Sequence, residues 1–301
     1  MTGAGGMLGA DVARAGERAG HELVLVARAK LDIVDAVAVE RAVRDSGADA
    51  VVNCAAWTDV DGAETERQAA YAVNALGASN LARATAAAGV QLVHISTDYV
   101  FSGEPPLDRD GRPRPYVESD PTGPRSVYGQ TKLEGERHVL EASPRHTVAR
   151  SSWLFGLGGR NFVDTMLRLA GEREATGPSP TDRPTNPIAP SVQVVDDQVG
   201  CPTWTGHLAP ALLGLIERDV RGLVHLAGAS HVSWSGFAKE IFRQAQASCR
   251  VEPVTTAEMA RPAPRPAWSA LESQREDVIP MPDWRDGLAG YLAARNGMMR
   301  A

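Results

Sequence analysis

The sequence predicts an α/β fold: a Rossmann-type doubly wound parallel sheet over residues 1 to about 150, joined to a smaller α/β domain over residues 151–301 that completes a cleft, with some later segments returning to the sheet. Three observations predict it. Short runs are strongly apolar, too much so to have one face in water. Helical patterns separate these runs at short intervals, the signature of βαβ units. A glycine-rich turn opens the chain and leads directly into a helix.

In chain order, Gly3, Gly6 and Gly9 form a GxxGxxG turn, followed by a helix from Met7 to Ala19. Glycine lets backbone N–H groups approach a pyrophosphate, and the positive end of the following helix favours its charge. Apolar runs place strands at Glu22–Ala27, Ala50–Cys54, Gln91–Ser96 and Thr147–Arg150. Asp35 can cap a helix that Gly47 ends, and the alanine-rich stretch Asn74–Ala88 stops at Gly89. Another helix carries Tyr128 and Lys132 and runs through Glu141. Beyond residue 150 the pattern loosens, with helices expected at Asn161–Glu172, Gly206–Arg218 and Ser233–Gln246.

Between Arg173 and Ser191, five prolines and Gly177 exclude helix and sheet interior, so a long exposed loop is expected. It reads either as a lid over the cleft or as a surface insertion. The opening turn normally follows a central strand, yet only Met1 and Thr2 precede Gly3. The expectation is therefore a true start upstream, with Met1 standing where an internal valine of Val-Thr-Gly ends that strand. A chain lacking this strand should bind its dinucleotide poorly.

Composition narrows the function. With 43% hydrophobic and 23% charged residues, the chain can bury a sizeable core. A net charge of -6 argues against a general nucleic-acid binder. Cys54, Cys201 and Cys249 are an odd number at wide spacing, giving neither a disulfide framework nor a zinc pattern. No HExxH or close metal-ligand cluster is present, so no catalytic metal is expected. Without a charged n-region or a long apolar run, the protein reads as soluble and cytoplasmic, with no membrane partner.

The chemistry concentrates at three positions. Tyr128 and Lys132, in Val127-Tyr-Gly-Gln-Thr-Lys132, are four apart and so share one helical face. Five tyrosines and three lysines in 301 residues make a chance YxxxK uncommon, so the match carries information. A tyrosine titrates near pH ~10, and a neighbouring ammonium is expected to lower that toward a useful acid–base range. Thr97 follows the strand ending at Ser96, at the sheet edge where ligands usually bind, and its hydroxyl can bond a carbonyl or its own backbone. No carboxylate ends the Glu22–Ala27 run. Arg28 and Lys30 stand there instead, suiting the 2′-phosphate of NADP, unless they are plain surface cations.

Together these residues resemble the extended short-chain dehydrogenase/reductases. Longer strings are similar to the dTDP-4-dehydrorhamnose reductase family: Asn53-Cys-Ala-Ala-Trp-Thr-Asp-Val-Asp-Gly-Ala-Glu64, Ser96-Thr-Asp-Tyr-Val-Phe101, Arg150-Ser-Ser-Trp153 and Val195-Asp-Asp-Gln-Val-Gly-Cys-Pro-Thr203. The resemblance spans nearly the whole chain. It implies reduction of the C4 keto group of a nucleotide-linked 6-deoxy-4-keto sugar, dTDP-4-dehydro-L-rhamnose above all, by NADPH with NADH left open. It also implies Thr97, Tyr128 and Lys132 as catalytic residues, Tyr128 donating the proton, Lys132 holding the nicotinamide ribose and Thr97 polarising the carbonyl. Cofactor contacts are implied at Gly3, Gly6, Met7, Leu8, Arg28, Asp32, Ile33, Ala55 and Ala56, besides Tyr128 and Lys132. Sugar contacts are implied at Thr58, Val60, Thr97, Asp98, Tyr99 and Trp153. Nucleotide identity, sugar stereochemistry and a homodimer stay open.

Two rivals share this architecture. A nucleotide-sugar 4,6-dehydratase places Asp-Glu after the threonine, whereas Asp98 here is followed by Tyr99, which leaves elimination without its base; an epimerase is the related option. The other rival is a non-catalytic NADP-binding subunit like that regulating methionine adenosyltransferase, which the intact triad disfavours.

Overall fold

The computed structural model describes residues 1–175 and 190–298; the proline-rich segment expected over Arg173–Ser191 lies, apart from its ends, outside the described residues. Four parallel strands form the main sheet in the order Ala50–Asn53, Gln91–Thr97, Thr147–Ser151 and Gly222–His225. Successive residues of these strands alternate between two cores, as the two-residue strand period requires. Val51, Leu92 and Val148 pack with Val39, Val43, Leu81 and Val139 from the helices Ala36–Ser46, Gly77–Ala87 and Val127–Ala142. Val52, Val93, Ala149 and Val224 pack on the other side with Leu8 and Val12 of the helix Met7–Ala19 and with Leu208, Leu212 and Leu215 of the helix Thr205–Glu217. Covered on both faces, the sheet takes apolar residues at adjacent strand positions, Val51–Val52, Leu92–Val93 and Val148–Ala149, while polar residues cluster toward the strand ends.

A second body of packing lies beyond it. Phe155, Val163, Val192, Phe237, Trp284 and Tyr291 form a separate core among the helices Phe162–Ala175, Trp234–Ala245 and Trp284–Met298 and the parallel strand pair Ser191–Val195 and Arg250–Val254. Among the described residues no helix is long and apolar enough to cross a membrane.

Local chemistry sets several boundaries. Asp35 Oδ1 accepts from Ala38 N–H at 3.0 Å and Gly47 closes the same helix at φ 60°. Ser126 caps the helix Val127–Ala142 by accepting from Gly129 N–H at 3.1 Å. Two glycines let this helix sit close to its neighbours: a Cβ at Gly129 would collide with the Tyr99 carbonyl, and one at Gly135 with that of Asn74.

Two expectations need correction. Glu22–Ala27 is not a strand; its pairing is a single bridge from Val26 to Thr2, and Val24 and Leu25 are exposed rather than buried. Thr2 also bridges Asn53, so it lies between Val26 and the main sheet. The segment is tied to the first residues by bonds from the Met1 amine to the Val24 carbonyl at 2.7 Å, from Val26 N–H to the Met1 carbonyl at 2.9 Å and from Ala4 N–H to the Val26 carbonyl at 3.3 Å, which make one bridge and no longer ladder. The helix expected from Asn74 instead begins at Gly77, preceded by a π-type turn over Ala72–Leu76 and a short helix Arg67–Tyr71. Asn74 accounts for the irregular turn: it is buried, bonds Trp57 through both the backbone N–H and the carbonyl, and donates to Thr131 Oγ1.

Candidate active site

At the carboxyl ends of the main strands, where open α/β sheets bind ligands, two cavities adjoin and share Gly6, Cys54, Ala55 and Ala56. The first, about 480 Å³, is lined by Gly3, Gly6, Arg28, Asp32, Ile33, Ala55 and Ala56. The second, about 580 Å³, is lined by Met7 and Leu8 on one side and by Thr58, Val60, Thr97, Asp98, Tyr99, Tyr128, Lys132 and Trp153 on the others. The cofactor and sugar contacts that the resemblance implies thus all line this double cleft. Lys30, the second cation of the 2′-phosphate reading, is exposed and does not line it.

The glycine turn is tight for a physical reason. Gly3 is at φ 70°, and a Cβ there would collide with the backbone of Cys54 and Ala55; one at Gly9 would collide with the Gly3 carbonyl. Gly5 faces open space. The helix from Met7 has no side-chain cap at Gly6, so its first-turn amides remain for an anion in the cavity. Arg28 is exposed at the wall of the first cavity and forms no ion pair among the described residues. These features fit a dinucleotide phosphate: a turn that excludes side chains, an uncapped helix terminus and a cation.

Thr97 ends its strand and caps the short 3-10 turn Asp98–Val100, its Oγ1 accepting from Tyr99 N–H at 3.2 Å and donating to Asp98 Oδ1 at 3.1 Å. Local backbone bonding and cavity lining therefore coexist in this residue. The Tyr128 ring meets Tyr99 edge-to-face at 5.6 Å. Burial pushes the Tyr128 phenol up to about 12, aided by the Asp98 carboxylate and opposed by the Thr97 hydroxyl. This corrects the expectation that Lys132 lowers it. The lysine turns back toward the strand instead, donating from Nζ to the Ile95 carbonyl at 2.6 Å with His94 Nε2 at 3.3 Å. Burial lowers Lys132 to about 8, against the opposing pull of Glu136 and Cys54.

Asp98 is 2% exposed. Burial raises its carboxyl to about 7. One helical turn beyond Lys132, buried Glu136 takes a bidentate pair from Arg150 at 2.6 and 2.9 Å and a bond from Ser96 Oγ at 2.5 Å. This network fastens the helix bearing Tyr128 and Lys132 to two strands of the sheet.

The sequence reading missed further wall residues. Trp234 stacks on Trp153 with centroids 3.5 Å apart and 4° between planes, and both line the second cavity. Trp153 is at φ 48°, a left-handed conformation uncommon outside glycine. Gly200 lies beneath it, where a Cβ would enter the indole. Arg160 and Ser151 also line this wall. An aromatic at position 234 carries no local signal for a site; only the tertiary packing brings it there. Among the described residues, no group of three or more His, Cys, Asp or Glu side chains could hold a metal ion.

Comparison with known proteins places the chain among relatives over nearly its whole length. The family model described as the RmlD substrate binding domain matches residues 1–296. A dTDP-4-dehydrorhamnose reductase of Mycobacterium tuberculosis is 43% identical over 300 residues, covering 98% of this chain and 92% of the relative. Its counterpart from Streptomyces griseus is 41% identical, covering 99% and 93%. A crystal structure of dTDP-4-dehydrorhamnose reductase from Bacillus anthracis in complex with NADP superposes with a TM-score of 0.87 at 34% identity, covering 97% of each chain.

Proposed function

The chain belongs to the RmlD family of dTDP-4-dehydrorhamnose reductases, and from that premise we propose that it reduces dTDP-4-dehydro-L-rhamnose to dTDP-L-rhamnose. It is an NADP(H)-dependent oxidoreductase acting on a sugar nucleotide. The observation that carries the finer reading is that Thr97, Tyr128 and Lys132 line one cavity, between the glycine turn's helix and the Trp153 wall.

Bound NADPH supplies the hydride that reduces C4. Gly3, Gly6 and the first turn from Met7 to Leu8 would cradle its pyrophosphate, with Ala55 and Ala56 on the far wall. Arg28 would pair with the 2′-phosphate, beside Asp32 and Ile33. Lys132 would hold the nicotinamide ribose. The sugar would lie among Thr58, Val60, Asp98, Tyr99 and Trp153. Thr97 would turn its single hydroxyl hydrogen from Asp98 Oδ1 to the C4 oxygen and so favour negative charge on it. Tyr128, held protonated by its buried setting, transfers its proton to that oxygen and completes the alcohol. In this scheme residues 1–150 carry mainly the cofactor and residues 151–301 mainly the sugar, with Gly222–His225 returning to the sheet.

The test presents NADPH with a panel of nucleotide-linked 4-keto sugars, following nicotinamide absorbance and identifying each product. The expected result is oxidation with the dTDP-linked 6-deoxy-L-lyxo substrate and formation of the rhamnoside. Faster turnover of a different keto sugar would replace the substrate assignment. Tyr128→Phe should keep its NADPH affinity and lose about 10²- to 10⁴-fold in kcat; turnover within a few-fold of the parent would assign the proton to another group.

A further inference from the structure

The buried polar groups behind Lys132 form a chain whose hydrogen positions can be assigned from donor and acceptor chemistry alone. Asn53 ends its strand 1% exposed, and its Oδ1 receives the Ala55 backbone N–H at 3.1 Å and the Thr2 hydroxyl at 2.6 Å. A backbone N–H can only donate, so the oxygen of this amide must face Ala55. Reversing the amide would set two donors against each other. The Asn53 nitrogen therefore points to His94 Nδ1, 2.9 Å away, and donates to it. An imidazolium would carry hydrogen on Nδ1 and meet that donor head-on. His94 is thus neutral, with its single proton on Nε2.

That N–H faces Lys132 Nζ at 3.3 Å. An ammonium has three hydrogens and no lone pair, so it accepts nothing from an N–H donor. An amine completes the arrangement, accepting from His94 Nε2–H while one of its own hydrogens goes to the Ile95 carbonyl at 2.6 Å. We infer that His94, oriented by Asn53, is a positioning residue for Lys132 that favours the amine form, so that this lysine can exchange a proton near neutral pH.

The other groups around the lysine bear on the balance without replacing this contact. Glu136 pulls toward the ammonium, but its carboxylate is already shared by Arg150 and Ser96. Cys54 pulls the same way only as a thiolate, and burial pushes that thiol up to about 12, with the Met1 ammonium nearby. Tyr128 and Thr97 line the same cavity and are uncharged. Burial of Nζ acts in the same direction as His94.

The meaning of this inference for turnover rests on the proposed reaction, but its measurement does not. Long-range proton–nitrogen correlation on the unliganded parent should find His94 as the Nε2–H tautomer; an Nδ1–H tautomer or an imidazolium at neutral pH would overturn the assignment. The chain has three lysines, of which Lys30 and Lys239 are exposed references, so ε-carbon-labelled lysine yields few enough signals to follow Lys132 alone. Its parent midpoint is expected near 8. His94→Leu should raise that midpoint by about one unit. Asn53→Leu frees the imidazole to turn its lone pair toward Lys132, and should move it the same way. Unchanged midpoints in folded variants would reduce His94 to packing. A parent that shows the tautomer yet reduces no nucleotide keto sugar sinks the proposed reaction alone; an active parent with the wrong tautomer sinks this inference alone.

Discussion

Trp234 lies flat against Trp153, the two indoles 3.5 Å apart between centroids and 4° from parallel, so a ring from the second body of the protein fixes a wall of the cavity that Tyr128 and Lys132 line. Trp153 holds a left-handed backbone at φ 48°, a conformation that persists only where its surroundings enforce it. Trp234→Ala removes one of the two surfaces enforcing it. The expected result is an increase in KM for the sugar nucleotide of up to about tenfold, in line with a lost aromatic pair. NADPH affinity should be unchanged, and fluorescence titration with each ligand separately checks the split. Gly200→Ala, which would push a methyl group into the same indole, should act in the same direction.

Arg28 is the cation at the wall of the cofactor cavity. Arg28→Ala should weaken NADPH binding by about ten- to a hundredfold, the worth of a charge-assisted hydrogen bond. NADH, which has no 2′-phosphate, should bind both proteins equally. Equal losses for the two nucleotides would assign Arg28 to the pyrophosphate instead.

Buried Asp98 gives the fold a pH dependence. Its carboxyl rises from 3.8 to about 7 because burial penalises the charged form by more than the hydrogen bonds from Ser269 and Thr97 favour it. The native state therefore holds a proton that the unfolded chain releases near pH 4. This contribution to stability is complete below that value and is lost as pH rises through about 7. Asp98→Asn, neutral throughout, should flatten the decline in melting temperature between pH 4 and 8 that the parent shows. A parallel decline in both proteins would place the proton elsewhere.

Glu136 and Arg150 are nearly inaccessible, at 2% and 4% side-chain exposure, and are bonded through both carboxylate oxygens. Removing one partner strands the other's charge. Glu136→Gln should cost about 3–5 kcal/mol of unfolding free energy, read as a lower denaturant midpoint at unchanged slope. A loss within about 0.5 kcal/mol, the range of ordinary surface substitutions, would show that Arg150 finds other acceptors.

Much of the architecture was legible because the local chemistry and the tertiary fold agree. Asp35 and Gly47 bracket their helix as capping rules require, and the apolar runs at 50–53, 91–97 and 147–151 are strands because both their faces are covered. The site was legible where it rests on spacing: Tyr128 and Lys132 share a face by helical geometry. Features decided by non-local pairing were not. Apolar content alone could not reveal that Val24 and Leu25 lack a ladder, nor could alanine content show that Asn74 diverts its helix into a π-type turn to satisfy the Trp57 backbone. The tyrosine's upward shift escaped for a related reason. Sequence spacing brings a lysine near a phenol, but only the tertiary fold turns its Nζ to the Ile95 carbonyl.

The two glycines under the helix Val127–Ala142 limit how this enzyme can change. With Gly129 against the Tyr99 carbonyl and Gly135 against that of Asn74, a side chain at either position would push the helix off its neighbours. In the proposed reaction, new sugar preferences are therefore expected from reshaping the opposite wall, around Trp153, Arg160 and Trp234, with Tyr128 left in place. Variant libraries that randomise that wall should yield altered selectivity far more often than libraries that randomise the helix.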